Sequence, residues 1–198
     1  PSKVILNGGD KEIFKNHFDN SWDGKSPLKI VTHHWSPNKM KGWDVYKKLD
    51  DLISNPEWIE LIEFTYIGNL PKGFKFKNAK YLEPMHGDKL GKELSKHHLY
   101  ISASINEPAG MHHIEGILCG LPIIYRNSGA LPEYCKDFGI IFEDQKFIPA
   151  LRRMLKEYPK YKIKITQYPH NSERMNNEYL NLFSKLFHNR YQIIKKRN

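Results

Sequence analysis

Six short apolar runs are spaced along the chain between more polar stretches. Each run has three to six residues, mostly β-branched or aromatic, and its apolar character is continuous rather than alternating. Continuous runs of this length are typical of strands that are buried on both faces, as in a parallel sheet. The predicted strands are Leu28–Thr32, Ile62–Ile67, Lys80–Leu82, Leu99–Ala103, Pro122–Tyr125 and Ile140–Phe142.

Amphipathic patterns with helical spacing lie between and after these runs. The predicted helices are Gly42–Ile53, Asp88–Ser95, Met111–Leu118, Gln145–Glu157 and Ser172–Phe187. Alternating strands and helices predict a doubly wound, Rossmann-like α/β domain with a mostly parallel sheet of about six strands. Such sheets bind ligands beyond the carboxyl ends of their strands, at the point where the strand order reverses.

The order of these elements divides the chain into three parts. Residues 1–27 form an N-terminal segment with a polar, turn-rich stretch at Asn16–Ser26, and residues 28–170 form the Rossmann-like domain. Residues 171–198 form a terminal helix and a basic tail, of which Ile194–Asn198 is predicted to be solvated and frayed. Because the sequence starts without an initiator methionine or a targeting pattern, we expect it to be cut from within a longer chain.

Composition and charge narrow the class of protein and of partner. Hydrophobic residues make up 39% of the 198 positions, which excludes a disordered chain. The net charge of +9 favours anionic partners such as nucleotides, nucleic acids or acidic lipid headgroups. No apolar run approaches the roughly 18 residues of a membrane helix. The two cysteines, Cys119 and Cys135, form no CxxC pair, so we expect a cytoplasmic location, with peripheral contact at a membrane left open.

The segment Ser104–Glu133 carries the strongest chemical pattern. A loop containing Gly110 follows a predicted strand, and a helix is expected to begin near Met111, where free N–H groups and the helix dipole attract anions. Glu107 lies in the loop and Glu115 follows eight residues later, so both carboxylates can line one crevice. Carboxylates accept hydrogen bonds from paired hydroxyls, and an anion site beside them suits a nucleotide sugar.

Glu107 and Glu115 resemble the E-x7-E motif of GT-B glycosyltransferases, especially the large retaining group 1 family related to glycogen synthase and sucrose synthase. Four further segments resemble this family in the same order along the chain. Val4–Asp10 with Phe14 resembles the segment that leads into the second domain, and Lys41-Gly42 resembles a lysine-glycine pair. Glu115–Pro122 resembles the EAxAxGxP segment, and Ser128–Glu133 resembles the GGxxE turn. Together they cover roughly Val4 to Phe142. The resemblance implies a donor-binding C-terminal domain of such an enzyme.

The resemblance also implies a role for each matching residue. Glu115 would bind the ribose hydroxyls of the donor, and Glu107 would bind the transferred sugar. Lys41 would stabilise the diphosphate leaving group as its negative charge develops, so Glu107 and Lys41 are the implied catalytic residues. The sugar and phosphates would be held by the backbone of Ala109, Gly110, Met111 and His112, and the base by Glu83, Pro84, Met85 and Leu90.

One departure from the family concerns the diphosphate. Most relatives have an arginine about five residues before the lysine, and this chain has none there. Either Lys39 supplies that charge, or His34 and Ser36 donate hydrogen bonds in its place. The resemblance implies a nucleotide-diphosphate sugar as donor substrate, no metal and no cofactor. The acceptor, a glycan, a lipid or a protein, would be held by the N-terminal domain, and transfer would proceed with retention.

Other functions stay open on the sequence alone. A nucleotide-sugar epimerase or a phosphorylase of the same fold shares the two-domain architecture. A basic nucleic-acid-binding module fits the charge, although the basic residues are scattered and match no known binding motif. Three His-His pairs, at 33–34, 97–98 and 112–113, suggest a metal site. Adjacent side chains diverge on strands and helices, however, and no spacing fits zinc, so none is predicted to bind a metal.

Overall fold

The computed structural model describes residues 3–195, with side chains for residues 3–193. It contains one sheet of six strands: β1 Leu28–His34, β2 Ile62–Gly68, β3 Lys80–Leu82, β4 Leu99–Ser102, β5 Ile123–Arg126 and β6 Gly139–Phe142. All six predicted strands are confirmed, with ends that differ by at most two residues.

The strands are all parallel and lie in the order β3-β2-β1-β4-β5-β6. β1 pairs with β2 along its whole length, from Leu28 opposite Ile62 to His34 opposite Gly68, and with β4 on its other side. The order therefore reverses between β1 and β4. The loops after these two strands leave in opposite directions, which opens a crevice at the carboxyl end of the sheet. The predicted doubly wound fold is confirmed.

The helices alternate with the strands. They are α1 Trp43–Leu52, α2 Gly87–Leu94, α3 His112–Leu118, α4 Leu131–Cys135, α5 Phe147–Lys164, α6 Ser172–His188 and α7 Arg190–Lys195, and single 3-10 turns occupy Lys39–Lys41 and Ile165–Gln167. All five predicted helices are present. α3 begins at His112, with Met111 as its N-cap residue, rather than at Met111.

α5 extends seven residues beyond its predicted end at Glu157. A proline inside a helix removes one backbone hydrogen bond and crowds the preceding turn, so Pro159 favours a helix end. The helix continues past Pro159 because Tyr158 and Tyr161, on either side of it, are both buried against the sheet. Packing therefore outweighs the local preference.

α4 and α7 were not predicted. α4 is a single short helix that begins within the GGxxE-like turn, with Pro132 in its first turn, where the missing proline N–H is not needed. α7 includes residues 194 and 195, so the predicted frayed tail is wrong for these two positions. Residues 196–198 lie outside the described part of the chain.

Helices cover both faces of the sheet and form two apolar cores. On one face α1 and α5 pack through Val45, Tyr46, Leu49, Leu151 and Met154. On the other face α2, α3 and α4 pack through Leu90, Leu94, Ile114, Ile117 and Leu131, together with Phe14 of the N-terminal segment. Strands buried between two such layers need apolar side chains on both faces, which explains the continuous apolar runs in the sequence.

The N-terminal segment meets the start of α6. The backbone N–H of Gly9 donates to the oxygen of His170 at 3.2 Å, and the N–H of Ser172 donates to the oxygen of Gly9 at 2.8 Å. α6 itself has no buried side chain, and its predicted apolar stripe is largely exposed: Tyr179, Leu182, Phe183 and Leu186. Within residues 3–195 no helix has the length and apolar character needed to span a bilayer.

Candidate active site

A cleft of about 380 Å³ opens at the carboxyl ends of β1 and β2, beside the loops that follow β3 and β4. It therefore lies at the point where the strand order reverses, as the fold class predicts. Its lining residues are His33, His34, Trp35, Ser36, Lys41, Ile67, Gly68, Pro84, Met85, His86, Leu90, Gly110, Met111, His112 and Glu115. Most are apolar or aromatic, with one lysine and one carboxylate.

The Lys41-Gly42 pair places a cation at the edge of this cleft. Gly42 has a left-handed backbone, with φ of 85°, and a Cβ there would come within 2.1 Å of the oxygen of Ala103. Only glycine fits such a turn without strain, so the chain can pass close to the end of β4. The Lys41 Nζ then lies 2.7 Å from the Oε2 of Glu107.

The loop that carries Glu107 is held from the side by the turn before α4. The N–H of Ala130 donates to the oxygen of Glu107 at 2.8 Å, and the N–H of Asn106 donates to the Oγ of Ser128, also at 2.8 Å. Asn106 has a positive φ of 49°, a conformation that asparagine tolerates better than most residues. The GGxxE-like turn therefore fixes the backbone that presents the Glu107 carboxylate.

Glu115 stands on the first turn of α3 and lines the cleft. Its Oε2 lies 2.7 Å from the Nε2 of His33, at the end of β1. Glu107 and Glu115 therefore face neighbouring spaces: Glu115 lines the main cleft, and Glu107 lines an adjoining hollow that shares Ser36 and Lys41 with it. Lys41 connects the two spaces.

Uncharged imidazoles line the floor of the cleft. Burial holds the pKa of His34 and of His112 well below the ordinary value, and neighbouring imidazoles and Lys41 lower both further. His34 Nε2 lies 2.7 Å from the Oη of Tyr46, and His112 Nε2 lies 2.9 Å from the Oγ of Ser102. These rings therefore present polar edges without positive charge. Within the described residues no three potential ligands converge as a metal centre would require.

Ten of the predicted site residues line the cleft: His34, Ser36, Lys41, Pro84, Met85, Leu90, Gly110, Met111, His112 and Glu115. Glu107 lines the adjoining hollow. The side chains of Lys39, Glu83 and Ala109 are exposed, and they do not line either space. The Ala109 oxygen accepts a hydrogen bond from the Nδ2 of Asn7.

Five lining residues were not predicted as site residues: His33, Trp35, Ile67, Gly68 and His86. Trp35 stands at the cleft with 71% of its surface exposed. Like the predicted site residues, His33 and His86 lie at the carboxyl ends of strands: His33 at the end of β1 and His86 in the loop after β3. Proximity to strand ends was the available indication.

Arg126 is a buried cation near this region that does not replace the family arginine. It lies at the end of β5, and its Nη2 is 2.7 Å from the Oδ2 of Asp44 on α1. Arg126 is buried, Asp44 is partly exposed, and Arg126 does not line the cleft. Lys41 is therefore the only cation among the residues found to line the cleft in the described part of the chain.

Comparison with known families identifies part of this chain. Residues 76–168, which include both motif glutamates, match the family described as "Glycosyl transferases group 1". Residues 76–168 belong to the group 1 glycosyltransferases. The predicted family and the predicted GT-B type of fold are thereby confirmed. No curated protein sequence matches the chain significantly.

Solved structures similar to this group 1 domain share its fold. Sucrose-phosphate synthase from Thermosynechococcus elongatus matches with a TM-score of 0.66 and 16% identity, over 93% of this chain and 52% of that one. The pneumococcal O-GlcNAc transferase GtfA, solved with UDP and GlcNAc, matches with a TM-score of 0.70 and 14% identity, over 95% and 40%. This chain thus spans about half the length of these two proteins or less.

A third structure is a domain of similar extent. The C-terminal domain of a group 1 family glycosyl transferase (LpcC) from Francisella tularensis matches with a TM-score of 0.61 and 15% identity. The match covers 87% of this chain and 98% of that one. The family match favours a transferase over the epimerase, phosphorylase and nucleic-acid-binding alternatives.

Proposed function

We propose that this group 1 domain binds the nucleotide-diphosphate sugar donor of a glycosyltransferase in the cleft at the carboxyl ends of β1 and β4. The observation that carries the proposal is the meeting of Lys41, Glu107 and Glu115 at that cleft. These residues come from three separate loops and elements, and the fold brings them to one edge of the sheet. A cation between two carboxylates suits a ligand with a diphosphate between two hydroxyl-bearing sugars.

In the proposed reaction the bond between the sugar C1 and the diphosphate oxygen breaks, and the diphosphate keeps the electron pair. Lys41 stabilises the charge that develops on this leaving group. To do so its ammonium exchanges Glu107 for phosphate oxygens, which leaves Glu107 free to accept hydrogen bonds from the transferred sugar. The acceptor hydroxyl oxygen bonds to C1, and its proton passes to the departing diphosphate oxygen. Glu115 accepts hydrogen bonds from the ribose hydroxyls.

The finer points of the proposal follow from this arrangement. The nucleotide is a uridine diphosphate, as in the pneumococcal structure solved with UDP. Lysine supplies the positive charge at the leaving group, so the proposed chemistry uses no metal and no cofactor. Transfer proceeds with retention, in line with the resemblance to the retaining E-x7-E enzymes.

The acceptor is proposed to bind outside this domain. The chain spans 52% and 40% of two similar transferases, and the exposed apolar stripe of α6 is suited to packing on a further domain. The acceptor is a glycan, a lipid or a protein; the net charge of +9 would favour peripheral contact with acidic lipids. Two buried, unpaired cysteines fit a cytoplasmic location.

Calorimetric titration of the chain with UDP, GDP and ADP and their sugar conjugates tests the donor-site proposal. We expect UDP to bind in preference to GDP and ADP. Glu115→Ala and Lys41→Met should each weaken it about tenfold or more, because each removes a charge-assisted hydrogen bond.

Lys39→Met is the matched control for the lysine. Lys39 carries the same charge two residues away, but it is exposed and does not line the cleft. An unchanged affinity in Lys39→Met supports the geometry, whereas equal losses in both lysine variants would show that Lys39 substitutes for the family arginine. Absence of binding by all the nucleotides would contradict the donor-site proposal.

A further inference from the structure

Tyr100 and His33 form a hydrogen-bonded unit behind Glu115. Tyr100 lies on β4 and is fully buried, and His33 lies at the end of the neighbouring strand β1. The backbone N–H of His33 donates to the Oη of Tyr100 at 3.1 Å. The same Oη lies 3.0 Å from the His33 Nδ1, and the His33 Nε2 lies 2.7 Å from the Oε2 of Glu115.

The positions of the protons follow from the chemistry of these three groups. The Tyr100 hydroxyl stays protonated, because burial raises its pKa well above the ordinary value. It accepts a hydrogen bond from the backbone N–H of His33. Its own O–H points to Nδ1 at 3.0 Å, because the other acceptor within reach, the His33 backbone oxygen, is farther away at 3.4 Å. An ionised Glu115 only accepts, so Nε2 must carry the hydrogen. The contacts are thus all satisfied by a neutral His33 with its hydrogen on Nε2.

We propose that His33, held as this tautomer by Tyr100, is a positioning residue that orients the Glu115 carboxylate for the ribose hydroxyls. Oε2 of Glu115 accepts from His33, and Glu115 also lines the cleft, where its remaining hydrogen-bonding capacity is available to a ligand. The inference rests on the proposed donor-binding function, which assigns the ribose to Glu115. It adds the two residues that set the direction of that carboxylate.

The packing around Tyr100 keeps this unit at a fixed distance from α3. A Cβ at Gly116 would come within 2.4 Å of the Tyr100 ring, so glycine at this position lets α3 rest directly on that ring. Glu115 is the preceding residue of the same helix. The hydroxyl, the imidazole and the carboxylate are therefore positioned by one contact between α3 and β4 as well as by their own hydrogen bonds.

Paired titrations with UDP and 2′,3′-dideoxyuridine diphosphate separate positioning of Glu115 from a general structural role. We expect His33→Phe and Glu115→Ala each to weaken UDP binding about tenfold and to leave binding of the dideoxy compound unchanged. Tyr100→Phe should show the same selectivity with a smaller loss, about threefold. His33→Gln, whose amide nitrogen can donate near the position of Nε2, should recover most of the affinity.

Each other outcome has a definite meaning. If Glu115→Ala removes the preference for UDP over the dideoxy compound and His33→Phe retains it, the inference is wrong and the proposed function stands. If His33→Phe and His33→Gln weaken both ligands equally, His33 is structural and the inference is wrong. If the unaltered chain shows no preference for UDP, Glu115 does not bind the ribose, and the proposed role of Glu115 fails together with the inference.

A spectroscopic measurement tests the tautomer without any ligand. The 15N chemical shifts of the imidazole of His33 distinguish a protonated from an unprotonated ring nitrogen. We expect an unprotonated Nδ1 and a protonated Nε2 near neutral pH, and a changed pattern in Tyr100→Phe. A hydrogen on Nδ1 in the unaltered chain would overturn the inference.

Discussion

At the scale of single residues, both motif glutamates have a hydrogen-bonding partner before any ligand binds. Glu107 accepts from Lys41, and Glu115 accepts from His33. Glu107 is buried, and a buried carboxylate without a partner would be costly. In the proposed function, a donor substrate therefore exchanges partners with groups that are already paired: Glu107 would release Lys41, and the Lys41 ammonium would then be available to the diphosphate.

This exchange predicts opposite effects of one substitution on two ligands. Glu107→Gln should reduce the affinity that the sugar adds to UDP, about tenfold as judged by UDP-glucose and UDP-GlcNAc. UDP alone should bind equally well or more tightly, because Lys41 loses a competing carboxylate. Calorimetry with Glu63→Gln, an exposed residue on β2, as the control measures both effects. Equal weakening of UDP and of the sugar conjugates would contradict the proposed role of Glu107.

His113 gives a pH-dependent prediction for stability. It is fully buried beside His112 and Tyr134. Burial, and then His170, His33 and Lys41, lower its pKa from 6.5 to about 3. Between pH 6.5 and pH 3 the imidazole of His113 binds a proton in the unfolded chain but not in the folded chain. The free energy of unfolding therefore has its full value above about pH 6.5 and decreases as the pH falls below 6.5.

Urea unfolding between pH 7 and pH 5 measures this effect. His113→Phe removes one titrating group, so we expect its free energy of unfolding to fall less steeply with decreasing pH than that of the unaltered chain. The difference between the two slopes should be up to about 1.4 kcal/mol per pH unit below the unfolded pKa. Phenylalanine retains the aromatic contacts with Tyr134. A variant with the same pH slope as the unaltered chain would show that His113 is not the group responsible.

The sequence was sufficient to predict that Glu107, Glu115 and Lys41 lie near one another at the strand ends, because their spacing and neighbours resemble a known motif. It was not sufficient to find the partner of Glu115. His33 and His34 are adjacent, and they diverge as strand residues should, one towards Glu115 and the other towards Tyr46. The pairing of β1 with β4 decides which of the two histidines contacts the Glu115 carboxylate, and this pairing could not be predicted from the sequence.

At the scale of elements, strands were easier to predict than helix ends. Strands buried on both faces are continuous apolar runs, so β1, β2 and β4 stand out from their surroundings. The end of α5 was missed because Pro159 is a local stop signal, whereas the burial of Tyr158 and Tyr161 is a tertiary effect. At Pro159 the local preference favours a helix end and the packing favours a longer helix. Only the local preference can be recognised in the sequence.

One buried carboxylate joins two elements and predicts a large loss of stability. Asp50 on α1 accepts hydrogen bonds from the backbone N–H groups of Lys77, Asn78 and Ala79, at 2.7 to 2.9 Å, just before β3. Asp50→Ala leaves these three donors without their acceptor. We expect the free energy of unfolding to fall by roughly 2–4 kcal/mol.

Chemical unfolding of Asp50→Ala beside Asp51→Ala tests this prediction. Asp51 is the neighbouring residue and is exposed, with one ion-pair contact to Lys77 at 3.9 Å. An exposed pair of this kind contributes little, so this control should change the free energy of unfolding by less than about 1 kcal/mol. Equal effects of the two substitutions would show that the buried hydrogen bonds do not hold this loop.

At the scale of the whole molecule, function depends on strand order. The reversal between β1 and β4 brings the Lys41 turn, the Glu107 loop and α3 to one edge, although Lys41 and Glu115 are 74 positions apart in the sequence. Alternation of strands and helices predicted the fold class, and a ligand site at strand ends followed from it. The strand order itself could be taken only from the fold class, not from any single residue.

The most direct test of the central claim is to map UDP on the chain by amide chemical-shift changes during a titration. The donor-site proposal predicts the largest changes at the carboxyl edge of the sheet, in residues 33–42, 67–69, 83–87 and 104–116. A second hollow, of about 510 Å³, lies between the N-terminal segment and α6 and is lined by Leu6, Arg174 and Glu178. Changes centred on that hollow, with the strand ends unaffected, would contradict the assignment of the donor site.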